Sequence, residues 1–212
     1  MSAVIGQGRY QGLTGNGVTE YRGIPFALPP LGEHRFKAPR ALPDADNEIT
    51  ADQYPQPSLQ MKNPLMGVHD SSEDCLYLNI WVPEGQGPFP VMVWFHGGAW
   101  EFGSGGAPNC EGTALARRGD VVVVTVNHRL SIFGHLYLAE AFGEEYTTSG
   151  NAGVLDLVAS LEWVRDNIEA FGGDPGNVTI FGESAGGLAV CALLASPLAD
   201  GLLDEGRRRR RN

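Results

Sequence analysis

Two short stretches carry residue types at spacings that could do chemistry. The first is Gly182-Glu183-Ser184-Ala185-Gly186, a serine with a glycine two positions away on either side. A serine hydroxyl on a tight, strained turn at the end of a strand can attack an acyl carbon once a base takes its proton. Bulky side chains at 182 or 186 would collide with the neighbouring strand and helix, so the turn needs glycine at both places. The second stretch is His96-Gly97-Gly98-Ala99. Acyl transfer needs N–H donors for the oxygen that becomes negative. One such donor is the N–H of Ala185, the residue after the serine, and the others come from a glycine-rich loop such as 96–99. Glu183, beside the serine, is expected to support the site by hydrogen bonding.

The elements around these stretches are those that would position them. Val178-Thr179-Ile180-Phe181 reads as a buried strand leading into the serine, and Leu188 to Leu194 is apolar enough to start a helix after it. That helix would point its positive N-terminal dipole at the serine, where negative charge develops. Cys75 to Val82 reads as a strand, Pro88 to Phe95 as a central strand delivering the 96–99 loop, and Val121 to Val126 as a fully buried parallel strand. Thr113 to Arg118 reads as a short helix. From Ala152 to Phe171, apolar residues at Val154, Leu157, Leu161, Val164, Ile168 and Phe171 recur every three or four positions and predict an amphipathic helix. Gly172-Gly173 stops it, and Asp174-Pro175-Gly176 turns the chain into the strand before the serine. Residues 1–50 are rich in Gly and Pro and predict small antiparallel strands. Ile24 to Pro30 is expected as an extended segment on the surface of the core, and 51–73 as loop. Alternating strands and helices predict an α/β fold: a mostly parallel sheet with helices on both faces and a small antiparallel N-terminal sheet.

Length and charge narrow the function classes. The 212 residues suit one domain, and a formal charge of −10 argues against nucleic acid as a partner. That charge includes five arginines at 207–211; without them ten basic residues face 25 acidic ones, −15. The arginine run reads as a solvated or artefactual tail. No stretch is long enough for a membrane span, and the first residues lack the pattern of a signal peptide. Three cysteines without C-x-x-C spacing fit neither a disulfide framework nor a zinc site, and a cytoplasmic location follows. No metal or cofactor is implied. Asn177-Val178-Thr179 spells a glycosylation sequon but enters a core strand, so it is discounted.

The chain resembles the type-B carboxylesterases, the cholinesterase-like branch of the α/β-hydrolases. Phe171 to Gly187 matches that family's serine signature, Ser72 to Ile80 its second signature, and Gly23 to Ala27 with Pro29-Pro30 and Arg35-Phe36 its opening. The resemblance covers residues of about 4 to 202 and leaves 203–212 as a non-family, Arg-rich tail. It implies an α/β-hydrolase fold in which Ser184 is the nucleophile and Gly98, Ala99 and Ala185 form the oxyanion hole, with Gly97 keeping the loop open. The substrate implied is a small-molecule carboxylic ester. It also implies two buried structural ion pairs, Glu73 with Arg129 and Arg35 with Asp156.

This sequence departs from the family pattern twice. Tyr54-Pro55-Gln56 stands where secreted members have a half-cystine, so Cys75 is expected as a free thiol. The family's acidic residue and catalytic histidine lie downstream of the serine turn, beyond the matched part, so the chain reads as C-terminally truncated, with a second, C-terminal polypeptide as the partner that could complete it. None of the five histidines replaces the missing base. His96 is read as a support of the oxyanion loop, and His34, His69, His128 and His135 as surface or second-layer residues. The readings that compete with an esterase are a non-catalytic cholinesterase-like binding module and a fragment without independent function.

Overall fold

The computed structural model describes residues 1–64 and 68–203. All but the first residue of the expected tail 203–212 lies outside them. Among the described residues there are nine strands and five α-helices, with the first seven strands preceding the first α-helix. Strands β1 (Ser2–Ile5), β2 (Gly8–Gln11) and β5 (Glu48–Thr50) make a small sheet. Strands β3 (Leu13–Gly15), β4 (Val18–Pro25), β6 (Tyr77–Pro83), β7 (Phe89–Phe95), β8 (Val122–Val126) and β9 (Gly173–Gly182) make the main sheet in the order β3-β4-β6-β8-β7-β9. The helices are α1 (Thr113–Gly119), α2 (Ser131–His135), α3 (Ala139–Phe142), α4 (Ala152–Asn167) and α5 (Ala185–Ala195). Among the described residues no helix is long and apolar enough to cross a membrane.

The main sheet is mixed, which corrects the expectation of a mostly parallel one. β7 runs parallel to β8 and β9, whereas the pairs β3–β4, β4–β6 and β6–β8 are antiparallel. Connection length is the reason. A parallel return needs a crossover of a dozen or more residues. Only residues 84–88 separate β6 from β7, so β7 must reverse, and β8 later inserts between them. Asn16 and Gly17, both with positive φ (54° and 79°), close the β3–β4 hairpin in two residues. The small sheet is mixed too, because β5 runs parallel to β2.

Ile24 to Ala27 also differs from expectation. It lies in the core rather than on it: Ile24 and Pro25 extend β4 against β6, and Phe26 and Ala27 are buried. Proline is tolerated because it ends the strand just after a bulge, where Gly23 at φ 73° donates its N–H to Asn79 Oδ1 at 3.0 Å.

The valine strand β8 is buried at every residue as expected, but it is parallel only to β7 and antiparallel to β6. Val122, Val124 and Val126 face the larger core, with Leu157, Leu161, Val164, Ala189 and Leu193 from α4 and α5. Val123 faces the opposite side, with Trp81, Val18 and Ala116 of α1. The predicted helix after residue 152 is α4, continued by a 3-10 turn over Ile168–Phe171 and stopped by Gly172 in the left-handed region. The expected turn at 174–176 is an excursion within β9: Phe89 pairs with Gly173 and Val91 with Val178, so two steps along β7 match five along β9. On the outer side of β9 no strand pairs among the described residues. Cys75 and Cys110 are buried, Cys191 is exposed, and none is bonded to another.

Candidate active site

Strand β9 ends at Gly182 and α5 begins at Ala185, so Ser184 occupies the turn between them. Its backbone is held at φ 55° and ψ −119°, which L-residues rarely adopt. The flanking glycines follow from sterics. A Cβ on Gly182 would lie 2.6 Å from the Gly186 carbonyl oxygen, and one on Gly186 would lie 2.7 Å from the carbonyl carbon of Phe95 at the end of β7. The turn closes through the Gly186 N–H to the Glu183 carbonyl at 2.8 Å and the Leu188 N–H to the Ser184 carbonyl at 3.0 Å. Ala185 is the first residue of α5, where helical geometry supplies no acceptor for its N–H.

Strand β7 delivers the second stretch beside the first. Gly97 sits against the serine turn: a Cβ there would lie 3.0 Å from the Glu183 carbonyl oxygen and 3.3 Å from Ser184 Cβ, and would also overlap the Glu183 carboxylate. The hydrogen bond that Glu183 makes is through its backbone carbonyl, so its carboxylate lines the site rather than bonding within it. After Gly97 the chain reverses sharply, with Gly98, Ala99 and Trp100 all at positive φ (122°, 56° and 63°). The Gly98 carbonyl accepts from the N–H groups of Glu101 (2.9 Å) and Phe102 (3.0 Å). The N–H groups of Gly98 and Ala99 have no acceptor among the described residues. His96, Gly97, Gly98, Ala99, Glu183 and Ser184 together line a pocket of 290 Å³, with Trp94 and Cys110 in its wall. A more open hollow of 540 Å³ lies on the other side of Ala99, bordered by Trp100, Ile132, His135 and Leu136.

Side chains that sequence reasoning passed over hold this loop. Gly105, near its end, donates its N–H to Asn127 Oδ1 (2.7 Å) and accepts from the Thr125 hydroxyl (2.7 Å). Both partners are buried at the end of β8, and Asn79 of β6 donates to the same threonine at 3.0 Å. His96 is buried, its Nδ1 is 2.8 Å from the Gly97 carbonyl, and its ring stacks on His128 with centroids 4.9 Å apart and planes at 14°. Trp100 meets His128 and His135 edge-on at 5.6 and 5.2 Å. His128 was expected in a surface or second layer, and it lies in the second.

Burial holds the His96 and His128 pKa values below 6.5, and for His128 the neighbouring His96 adds to the effect. The unfolded chain therefore takes up protons that the folded chain refuses. Stability is present above the ordinary histidine pKa and declines as pH falls through about 6.5 toward the depressed folded values. Unfolding midpoints measured from pH 7.5 down to 5.5 should fall, and His128→Phe, which keeps a stacked ring without a titrating nitrogen, should flatten that fall. Identical pH profiles for the two proteins would refute the assignment.

The four structural charges do converge, but with partners exchanged relative to expectation. Arg129 pairs with Asp156, not Glu73: Nη2 lies 2.6 Å from Oδ1, Nε 2.8 Å from Oδ2, and the Arg129 backbone N–H also donates to Oδ2 at 3.0 Å. Arg35 pairs with Glu73 through two of its guanidinium nitrogens, Nε donating to Oε2 and Nη2 to Oε1 at 2.9 Å. Burial decides the matching. The side chains of Arg129, just after β8, and Asp156, on α4, are 3% and 0% exposed and satisfy each other, whereas Arg35 and Glu73 are 41% and 19% exposed, so this pair is not buried as expected. Burial works against the Arg129 charge, yet Asp156 holds its pKa above the ordinary value.

Comparison with known proteins agrees with this geometry. The family model described as "Carboxylesterase family" matches residues 3–206. Para-nitrobenzyl esterase of Bacillus subtilis is 48% identical over 203 residues, which cover 93% of this chain and 41% of that protein. Fumonisin B1 esterase of Sphingopyxis macrogoltabida is 43% identical over 207 residues, covering 93% and 37%. Among solved structures, a carboxylesterase of Geobacillus stearothermophilus superposes with a TM-score of 0.90 at 47% identity, covering 95% of this chain and 41% of that one. The chain thus spans about two fifths of the length of these relatives. With a match over nearly its whole length and the serine turn and glycine loop facing one pocket, the chain belongs to the carboxylesterase family.

Proposed function

We propose that these residues supply the nucleophile and the oxyanion hole of a serine carboxylic-ester hydrolase. The observation that carries the reading is Ser184 itself, exposed at the head of α5 in a strained conformation, with Gly97 packed against it. Its Oγ attacks the ester carbonyl carbon while a base accepts the hydroxyl proton. The carbonyl oxygen becomes negative between the N–H groups of Gly98, Ala99 and Ala185. Collapse of this intermediate breaks the bond to the alcohol, which leaves with a proton and a serine ester behind it; water then releases the acid by the same steps. The base is not among the described histidines near the serine, because His96 is spent on Gly97 and on its stack. We infer that the base comes from polypeptide outside these residues, either downstream or as a second chain. The names of the two relatives above, both esterases, support a small carboxylic ester as substrate. Three unpaired thiols suit a reducing compartment such as the cytoplasm.

A fluorophosphonate probe with added imidazole, which takes the serine proton that no histidine of this site accepts, tests the reading: the Ser184 oxygen bonds to phosphorus, fluoride leaves, and the phosphoryl oxygen occupies the oxyanion hole. With high probe concentration and prolonged incubation, mass spectrometry should find the label on Ser184 ahead of every other serine, and none after Ser184→Ala. No label, or label spread evenly over surface serines, would reject an active-site serine and leave a binding module.

A further inference from the structure

We propose that Gln60 is a positioning residue for the oxyanion loop, an inference that rests on the esterase reading above. Gln60 lies in the irregular segment between β5 and β6, which contains neither the proposed nucleophile nor the proposed oxyanion donors. Its side-chain amide clasps the backbone of Gly103 from both sides: the Gly103 N–H donates to Oε1 at 2.8 Å, and Nε2 donates to the Gly103 carbonyl at 2.8 Å. Glutamine and asparagine alone among side chains carry a donor and an acceptor side by side in one plane, as a peptide does, so this contact works as a single rung of β-pairing. The second Nε2 proton goes to the Ser58 carbonyl at 2.9 Å. The backbone of Gln60 is itself held, its N–H donating to Ser71 Oγ (3.2 Å) and its carbonyl accepting from the same hydroxyl (3.0 Å).

Gly103 matters because of what it abuts. It lies at φ 123°, and a Cβ there would come 2.5 Å from the Gly97 carbonyl oxygen and 2.8 Å from His96 Cε1. The Gly97 carbonyl and the Gly98 N–H are two ends of one planar trans peptide and point in opposite directions. A Gly97 oxygen bonded to His96 and walled in by Gly103 therefore fixes the direction of the Gly98 N–H, one of the three proposed oxyanion donors. The chain of dependence runs from Ser71 to Gln60, to Gly103, to the Gly97–Gly98 peptide. Asn127 and Thr125 hold Gly105 from the sheet side, so Gln60 is the tie from the opposite, loop side.

The test compares the 212-residue chain with Gln60→Met, of similar length but without hydrogen bonds, and with Gln60→Glu, which keeps the acceptor and loses the donor. Misplacing a catalytic group by about 1 Å costs on the order of 10² in rate. With imidazole present as external base, labelling of Ser184 by the fluorophosphonate should slow by about 10- to 100-fold in Gln60→Met and by less in Gln60→Glu. Hydrogen exchange of the peptide covering 96–104 should speed up in both. Slower labelling at temperatures where each variant is still folded, together with faster exchange, supports the proposal. Loss of thermal stability with unchanged labelling, or unchanged exchange in this peptide, overturns it and leaves Gln60 a structural residue. If Gln60→Met does not fold, the Gln60→Glu rates decide by the same criteria. Failure of the unsubstituted chain to label Ser184 at all rejects the esterase reading, and the Gln60 role with it.

Discussion

Purified as residues 1–212, the chain is expected to hydrolyse a short-chain nitrophenyl ester far more slowly than about 1 s⁻¹, the lower end of ordinary enzyme turnover. The proposed nucleophile and oxyanion donors share one pocket, but the histidine that lines it is not free to take the proton of Ser184. His96 is the histidine that lines this pocket, and its ring is buried, bonded through Nδ1 to Gly97 and stacked on His128. To serve as a base it would have to leave the stack and release the very carbonyl that orients the Gly98 N–H. In a serine protease, loss of the histidine alone costs about 10⁶ in kcat, and oxyanion donors with binding leave roughly 10³–10⁴ over water. Activity of that residual size is the most expected here, and it should disappear with Ser184→Ala. Turnover of about 1 s⁻¹ or more that depends on Ser184 would show that a base is present after all and make His96 the first residue to substitute.

The second large effect concerns stability. Arg129→Met should lower it by about 3–5 kcal/mol, because it strands a fully buried Asp156 carboxylate beside a guanidinium-shaped hole. In a domain of this size that corresponds to a fall in Tm of about 6–20 °C. More than one contact fails at once: Arg129 also donates through Nη1 to the Lys37 carbonyl at 2.8 Å, which ties the segment before β5 to the end of β8. Arg35→Met, at the half-exposed pair with Glu73, should move the midpoint far less, since water and salt already screen that interaction. Thermal unfolding of the two variants side by side is the measurement. Equal midpoints, or an Arg129→Met protein as stable as the parent, would remove Arg129–Asp156 from its place as the buried tie.

What could be read in the sequence was what local sterics impose. The glycines at 182 and 186 announce the serine turn because no other residue fits within a few ångströms of β7 and α5. The unbroken valines of β8 announce burial on both faces, and the spacing of Leu157, Leu161 and Val164 announces α4. Strand direction was less accessible, although the five residues between β6 and β7 contain the answer once crossover length is considered. The ion pairs defeated sequence reasoning for a different reason. All four charges were identified, but matching them depends on which carboxylate shares the depth of which guanidinium, a property of the packed state alone. Gln60 gave no signal: it sits in a stretch without periodicity and acts on a glycine 43 positions away through an amide that any surface glutamine also has.

The conformation of Ser184 has a consequence for how such a chain changes over generations. A residue held at φ 55° and ψ −119° carries strain of about 1–3 kcal/mol, which glycine largely escapes. Serine and glycine codons can differ by a single base. For a lineage kept only for its fold, replacement of this serine by glycine is a downhill step, open to drift and favoured by stability. Position 184 thus behaves as a gauge of selection: a serine persists there only while its hydroxyl is in use, and descendants released from that use should acquire glycine before the surrounding sheet begins to decay.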